Sequence, residues 1–331
     1  MTVRERTQAF EAQFLSSKAV LSADTKGRER PEEECPLRTP FQRDRDRILH
    51  CKAFRRLKHK TQVFLSPEKD HYRTRLTHTL EVAQVARTIA RALQLNEDLT
   101  EAISLGHDLG HTPFGHAGER ALRQVSPCGF THYDQSVRVV QKLEKEGRGL
   151  NLTWEVINGI ERHTTGEEAS TLEGRVVRLA DRIAYINHDI EDAIRGGVLR
   201  EEDIPEEIHR VLGRSRTQRI TTLVNSVVEH SVDTICLGDE VQKQFDQLHS
   251  FMFDQVYTNP KAKSEEGKAI ALIQHLYCHF VMHPDKLPGE FAVIRDRDGG
   301  ERAALDYIAG MSDQYAVQIF EALYVPKRWS I

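Results

Sequence analysis

The sequence predicts an all-α protein, and three observations lead to that prediction. Apolar residues recur at helical spacing through several long segments, most clearly over residues 77–94 and 173–195. Charged residues make up 29% of the chain and aromatic residues only 7%, a balance that suits a helix-rich protein. Glycine and proline collect in short connecting segments, such as residues 109–118 and 284–301, where they interrupt the periodic stretches.

Composition narrows the class of protein. The chain of 331 residues is long enough for one large domain or two modest ones. It contains no run of eighteen apolar residues, and its polar first residues lack a signal-peptide core. The five cysteines are widely spaced with no CxxC pair, which indicates reduced thiols in a cytoplasmic protein. A net charge of −4 argues against nonspecific nucleic-acid binding by the whole surface, although local basic runs remain.

The first third of the chain is strongly charged. Residues 1–37 are expected to form a polar N-terminal arm with a short helix around Thr7–Leu15. Residues 38–64 combine a helical apolar stripe with alternating basic and acidic side chains. Two interpretations stay open for the basic residues of this segment, contact with phosphates or an ion-paired solvated face. These residues are Arg45, Arg55, Arg56, Lys58 and Lys60.

Two predicted helices each place a histidine on an apolar face. His78 shares one stripe with Val82, Val85 and Ile89 in the helix that starts near Thr77. The next helix aligns Leu99, Ile103 and His107, and Asp108 follows directly. Imidazole and carboxylate groups are ligands of divalent transition metals, but an inward histidine is more often a hydrogen-bonded core residue.

Residues 109–118 are expected to form a tight loop because Gly106, Gly110, Gly115 and Pro113 break the helix after Asp108. The loop carries His111 and His116, and a loop of this kind can close over a bound ligand. Further helices are predicted from the segment 129–138, over 151–163 and over 173–195, and then over 216–232, 241–257, 266–282 and 303–323, with loops at 258–265 and 284–301.

The helix over residues 173–195 has a second, polar stripe formed by Asp181, Tyr185, Asp189 and Asp192. Such a stripe is either a solvent-facing edge or a set of ligands. A buried carboxylate is costly unless it is paired or bound to metal, and Asp181 sits in a strongly apolar stretch, which favours the ligand interpretation. No glycine-rich phosphate loop of either common pattern occurs, so side chains would have to hold any nucleotide.

The pattern of His78, then His107 with Asp108, then Asp181 resembles the HD-domain metal-dependent phosphohydrolases. A closer resemblance is to the bacterial deoxyguanosinetriphosphate triphosphohydrolase-like proteins, and it extends from about residue 38 to residue 324. The segments that carry it are RTPFQRDRDRI (38–48), FRRLKHKTQVF (54–64), HDLGHTPFGHAGE (107–119), DRIAYINHDIEDA (181–193) and DYIAGMSDQYA (306–316).

The resemblance implies a helical HD-domain catalytic core over residues 38–200, with a C-terminal helical region over 201–331 packed on it. It implies a divalent metal held by His78, His107, Asp108 and Asp181. It also implies catalytic roles for His116, Glu119 and His132. Substrate contacts are implied for Arg75, Arg182, Tyr185, Asp189 and Gln62, and Tyr315 is a candidate for the ring beneath the sugar. Relatives often have Asn then Glu after the position of His132, whereas this chain has Tyr133 and Asp134, so no role is assigned to Asp134.

The reaction expected from this resemblance is metal-dependent hydrolysis of a deoxynucleoside triphosphate to deoxynucleoside and inorganic triphosphate. Two alternatives remain: an HD phosphohydrolase acting on nucleotide monophosphates, and a nucleotide- or single-strand-DNA-binding regulator that retains the HD fold. The resemblance implies a homo-oligomer, while a nucleotide effector and single-stranded DNA stay open as partners.

Overall fold

The protein is all-α, as the sequence predicts. The structure is a computed structural model that describes residues 1–62, 73–259 and 265–327. Within these ranges the regular structure is helical, and the only extended pairings are two isolated β-bridges, Arg28 with Thr153 and Thr61 with Thr74. None of the described helices is both long enough and apolar enough to cross a membrane. All five cysteines are free thiols.

The chain forms two compact units that interleave along the sequence. The first unit comprises Met1–Leu49, His78–His107 and Asn151–Lys263, and the second comprises His50–Thr77, Asp108–Leu150 and Ser264–Ile331. The division of the sequence at residues 37 and 200 stays a prediction.

The first unit is built around a buried helix, α5, which packs against α2, α8 and α9. Asn96 caps the start of α5 by accepting a hydrogen bond from the Leu99 amide, and Thr171 caps α9 in the same way through the Gly174 amide. The helices of this unit are α1 (Val3–Phe14), α2 (Pro40–Leu49), α4 (Arg75–Ala92, from His78 onward), α5 (Glu97–Gly106), α8 (Trp154–Glu161), α9 (Leu172–Arg195), α10 (Glu206–Leu212), α11 (Arg216–His230) and α12 (Asp239–Met252).

The second unit contains a separate apolar core in which α13 packs against α6, α15 and α16. Its α-helices of five or more residues are α3 (Lys52–Arg56), α6 (Gly115–Val125), α7 (His132–Arg138), α13 (Glu266–Met282), α14 (Ala292–Asp298), α15 (Gly300–Ala309) and α16 (Asp313–Tyr324). Two expectations are wrong here. Residues 303–323 form two helices, because Gly310–Ser312 separate them and Ser312 caps the second. The predicted loop at 284–301 contains the helix α14.

The N-terminal segment is tied to the first unit by buried polar contacts. Its helix α1 begins earlier than predicted, and Glu11 on α1 accepts a hydrogen bond from the Ser22 amide at 2.7 Å. Arg28 donates to the carbonyl oxygens of Asn151 at 2.7 Å and Pro40 at 3.0 Å, and it is ion-paired with the fully buried Asp44. The arm is therefore an ordered part of this unit.

Replacing Asp44 with alanine is expected to lower the free energy of unfolding by about 3–5 kcal/mol, because the Arg28 guanidinium would lose its buried partner. The Asp44 carboxylate also accepts hydrogen bonds from the amide and the hydroxyl of Thr153, at 2.8 and 2.7 Å. Urea-induced unfolding would measure the loss. Asp46 is the matched control, since it pairs with the half-exposed Arg38 and its replacement should cost about 1 kcal/mol or less. Equal losses in the two variants would contradict this prediction.

Candidate active site

Three residues predicted as metal ligands meet in the first unit. His78 lies near the start of α4, His107 directly follows α5, and Asp181 lies in the middle of α9. The Asp181 Oδ1 atom is 3.0 Å from His78 Nε2 and 3.8 Å from His107 Nε2. Both histidines are buried, whereas the Asp181 side chain is 19% exposed. The fourth predicted ligand, Asp108, directly follows His107 in the sequence.

Each of the two imidazoles in this cluster has a polar contact at its Nδ1 atom. His107 Nδ1 lies 2.6 Å from the carbonyl oxygen of Ser104, and His78 Nδ1 lies 2.9 Å from His188 Nε2. A hydrogen bond at Nδ1 fixes the orientation of the ring and leaves Nε2 facing Asp181. Histidines that bind a metal are usually arranged in this way. This donor set, two oriented imidazoles and a carboxylate, fits a divalent ion.

Next to His78, three further polar side chains lie close together: His188, Asp189 and Tyr257. His188 Nδ1 lies 2.8 Å from Asp189 Oδ1, and the Tyr257 hydroxyl donates to Asp189 Oδ2 at 2.5 Å. Burial, together with Asp189, raises the pKa of Tyr257 well above its usual value, so the hydroxyl keeps its proton. Tyr257 lies in a π-helical turn, Phe253–Tyr257, that follows α12.

The polar stripe of α9 is not a solvent-facing edge along its whole length. Asp189 and Asp192 are buried, so the solvated interpretation is wrong for these two residues. Tyr185 is half-buried, and burial raises its pKa. The adjacent Arg182 pairs with the exposed Asp246 at 3.2 Å.

The second unit brings together other predicted site residues. Asp108 is buried between two side chains: Arg75 Nη1 lies 2.8 Å from its Oδ2, and His111 Nε2 lies 3.2 Å from its Oδ1. Burial, with Arg75 nearby, lowers the pKa of His111 well below its usual value, so His111 is a neutral imidazole. Its ring stacks on His132, with centroids 4.1 Å apart and planes inclined by 15°.

Glu119 is the shared partner of the two predicted catalytic histidines. Its Oε2 atom lies 3.1 Å from His132 Nδ1 and 3.5 Å from His116 Nδ1, and Arg123 donates to Oε1 at 2.8 Å. Burial alone would raise the pKa of Glu119, but its contacts with His116 and His132 outweigh burial and hold that pKa well below the usual range. The His116 side chain is 69% exposed and the His132 side chain only 13%. His116 is thus the member of the cluster that an incoming ligand can reach directly.

The segment 109–118 is not entirely a loop, which corrects the sequence prediction. Phe114 (φ +61°) and Gly115 (φ +55°) take left-handed conformations, and α6 begins at Gly115. His116 therefore lies in the first turn of α6, three residues before Glu119 and on the same face. Gly110 is required nearby, since a Cβ there would lie 2.1 Å from the Ser136 amide nitrogen of α7, the helix that carries His132.

The other two predicted substrate residues of the second unit, Tyr315 and Gln62, differ from each other in burial. Tyr315 is exposed at the start of α16, with its hydroxyl 3.0 Å from that of Tyr307. Gln62 is half-buried, and its Oε1 is buried with no hydrogen-bond partner in the described part of the chain. The structure places Gln62, Arg75 and Tyr315 in the second unit, and Arg182, Tyr185 and Asp189 in the first.

The basic residues of segment 38–64 do not behave alike. In the first unit Arg45 forms ion pairs with Asp98 at 3.1 Å and Glu101 at 3.3 Å, as the solvated interpretation expects. In the second unit Lys60 is buried, and its ammonium donates to the carbonyl oxygens of His111 and Ala309. Burial, aided by Arg56, lowers the pKa of Lys60 to about 7.

Four residues near the predicted site residues received no role from the sequence: His111, His188, Tyr257, and His163, whose ring centroid lies 5.0 Å from that of His107. His111 lies inside the quoted segment HDLGHTPFGHAGE (107–119), and His188 lies inside DRIAYINHDIEDA (181–193). His163 and Tyr257 lie far from the motifs along the chain, so helical spacing gave no reason to select them.

Two family models match this chain. Residues 75–186 match the family model of the HD domain, and residues 235–322 match that of the phosphohydrolase-associated domain. A deoxyguanosinetriphosphate triphosphohydrolase-like protein of Caldanaerobacter subterraneus subsp. tengcongensis is 55% identical over 331 residues, which cover 99% of this chain and 98% of the relative. A protein of the same description from Clostridium perfringens (strain SM101) is 48% identical over 99% of both chains.

A solved structure of a phosphohydrolase from Bacteroides thetaiotaomicron VPI-5482 has a similar fold. The TM-score is 0.53 at 19% sequence identity, over 83% of this chain and 67% of that chain. At this level of identity the likeness concerns the fold alone.

Proposed function

Because the chain belongs to the deoxyguanosinetriphosphate triphosphohydrolase-like family of HD phosphohydrolases, we propose that it hydrolyses deoxynucleoside triphosphates to deoxynucleoside and inorganic triphosphate. The observation that carries this proposal is the Glu119 cluster, in which one buried carboxylate contacts an accessible histidine, His116, and a sheltered one, His132. Such a cluster suits proton delivery to a poor leaving group, and the 5′-oxygen of a deoxynucleoside is one.

HD domains bind divalent metals, and we propose that His78, His107, Asp108 and Asp181 hold the ion in this protein. When bound, a divalent ion lowers the pKa of a coordinated water and polarises the phosphorus. This ligand set suits Mg and several transition ions, Mn among them.

His116 is the proposed proton donor to the leaving 5′-oxygen. Its exposed ring can approach a substrate. Glu119 orients that ring through Nδ1, so Nε2 can donate the proton to the leaving 5′-oxygen. His132 contacts the same Oε2 of Glu119 and stacks on the neutral His111, so its proposed role is to hold the Glu119 carboxylate in position.

Positively charged side chains are proposed to bind the phosphate chain. Arg182 suits this role because its partner in the first unit, Asp246, is 56% exposed, and a solvated ion pair is easily exchanged for a phosphate. Arg75 is proposed to act on the phosphates while it is held by Asp108. Tyr185 is a further proposed phosphate contact. Gln62, Asp189 and Tyr315 are the proposed sugar contacts, and the 3′-hydroxyl would donate to the Asp189 carboxylate, whose Oδ2 already accepts from Tyr257.

Product analysis tests the proposed reaction. The purified chain would be incubated with each of the four deoxynucleoside triphosphates and Mn or Mg, and the products resolved by ion-exchange chromatography. Inorganic triphosphate with free deoxynucleoside supports the proposal and reveals the base preference. Pyrophosphate, or activity on monophosphates alone, would replace it with another HD phosphohydrolase activity.

The same assay addresses the proposed partners. Turnover only in a mixture of all four nucleotides would identify a nucleotide effector. No product under any condition would favour the regulator that binds nucleotide or single-stranded DNA. We also propose, from the family, a cytoplasmic homo-oligomer.

A further inference from the structure

His163 is a third buried imidazole beside the metal-ligand cluster of the first unit. It follows α8 and is 1% exposed. Its ring centroid lies 5.0 Å from that of His107, with the planes inclined by 71°. One ligand atom from each of His107, His163 and Asp181 can be chosen so that all three lie within 4.8 Å of one another. Three donor atoms this close can surround a single ion.

His163 and His107 are anchored in the same way. His163 Nδ1 lies 2.7 Å from the carbonyl oxygen of Ile160, and His107 Nδ1 lies 2.6 Å from that of Ser104, each carbonyl being three residues earlier in the chain. A carbonyl oxygen only accepts hydrogen bonds, so the proton of a neutral ring sits on Nδ1 and Nε2 keeps its lone pair. Histidines that bind metal typically donate their second ring nitrogen to a carbonyl or carboxylate in this manner.

The position of His163 is fixed by close packing. Gly159, on the turn of α8 before it, allows direct contact with α5, because a Cβ there would lie 2.5 Å from Ile103 Cδ1. This contact brings the end of α8 to the end of α5, where His107 lies. The rings of His107 and His163 are therefore held side by side, each with Nδ1 against a backbone carbonyl oxygen. The packing of a hydrophobic core alone would not require this arrangement.

We propose that His163 is a further imidazole ligand of the metal centre, in addition to His78 and His107. The inference rests on the proposed metal site, and it also specifies the class of ion. A centre with three imidazoles is richer in nitrogen than the predicted set of two histidines and two carboxylates. Imidazole suits Fe, Ni and Zn, whereas Mg prefers oxygen ligands. The site is therefore expected to bind Co, Ni or Zn more tightly than Mg.

The test measures the metal directly in the full-length protein. Metal-free wild type, H163N and H209N would be titrated with Co²⁺ against a chromophoric chelator. His209 is the matched control, since it is a buried histidine of the same unit with Nε2 3.2 Å from the Glu201 carbonyl oxygen. We expect Co²⁺ to bind H163N at least about 10-fold more weakly than wild type, because even outer partners of metal ligands have effects of that size. H209N should bind like wild type.

X-ray absorption of the Co²⁺-loaded wild type needs no variant and counts imidazole ligands independently. Three imidazoles are expected, and two in H163N. A count of two in wild type, or unchanged affinity in H163N, would overturn the inference while leaving the proposed metal site in place. Failure of wild type to bind Co²⁺, Mn²⁺ or Zn²⁺ would instead reject the metal site and this inference together. Thermal unfolding in EDTA would establish that metal-free H163N is folded.

Discussion

Replacing His116 with alanine is expected to reduce kcat by about 10²- to 10⁴-fold, the usual contribution of a general acid. The proposed leaving group is an alkoxide, which departs slowly without a proton. His116 is the accessible histidine on Glu119, and the low pKa of that carboxyl keeps it negatively charged beside the ring. Since His116 is absent from the proposed ligand set, metal content should not change. Steady-state release of inorganic triphosphate and elemental analysis of the same sample measure both quantities.

The control for this experiment is His283, an exposed histidine of the same unit that follows α13. H283A should keep full activity, which excludes a general effect of removing a surface imidazole. The loss in H116A should fall on kcat more than on KM, because the proton is transferred in the transition state. Wild-type turnover by H116A would remove His116 from the mechanism and leave His132 as the candidate acid.

Helical periodicity predicted the parts of the site that lie on long helices. The stripe of His78, Val82, Val85 and Ile89 is buried as expected, and so are Leu99, Ile103 and His107. In each case the apolar neighbours determine which face turns inward, so the histidine is carried inward with them. The family resemblance then linked these helices to Asp181, and membership in that family is confirmed.

The remaining features depend on tertiary contacts that periodicity does not encode. The start of α6 depends on two consecutive left-handed residues, Phe114 and Gly115, and a glycine-rich stretch is equally compatible with a loop. Tyr257 reaches Asp189 from 68 residues away in the chain. His163 is brought to His107 by the contact at Gly159, which is visible only once α5 and α8 are packed.

Replacing Asp181 with asparagine is expected to remove both the bound metal and the turnover. Asp181 is the carboxylate shared by His78 and His107, and an amide oxygen at the same position carries no negative charge. Metal affinity should fall by more than the 10- to 100-fold typical of outer-sphere changes, because a direct ligand is altered. Metal content after gel filtration and triphosphate release over a range of Mn²⁺ concentrations would measure the two losses, and excess Mn²⁺ should restore part of the activity.

The thermal stability of D181N adds a readout that is independent of catalysis. A ligand that binds only the folded state at 100 times its Kd stabilises it by about 2.7 kcal/mol, so wild type should unfold at a higher temperature with Mn²⁺ than with EDTA. D181N should lose this difference. Asp246, an exposed carboxylate of α12 that pairs with Arg182, is the control, and D246N should keep both the metal and the stabilisation. If D181N retained wild-type metal content, Asp181 would not be a ligand, and the proposed centre would have to be rebuilt without it.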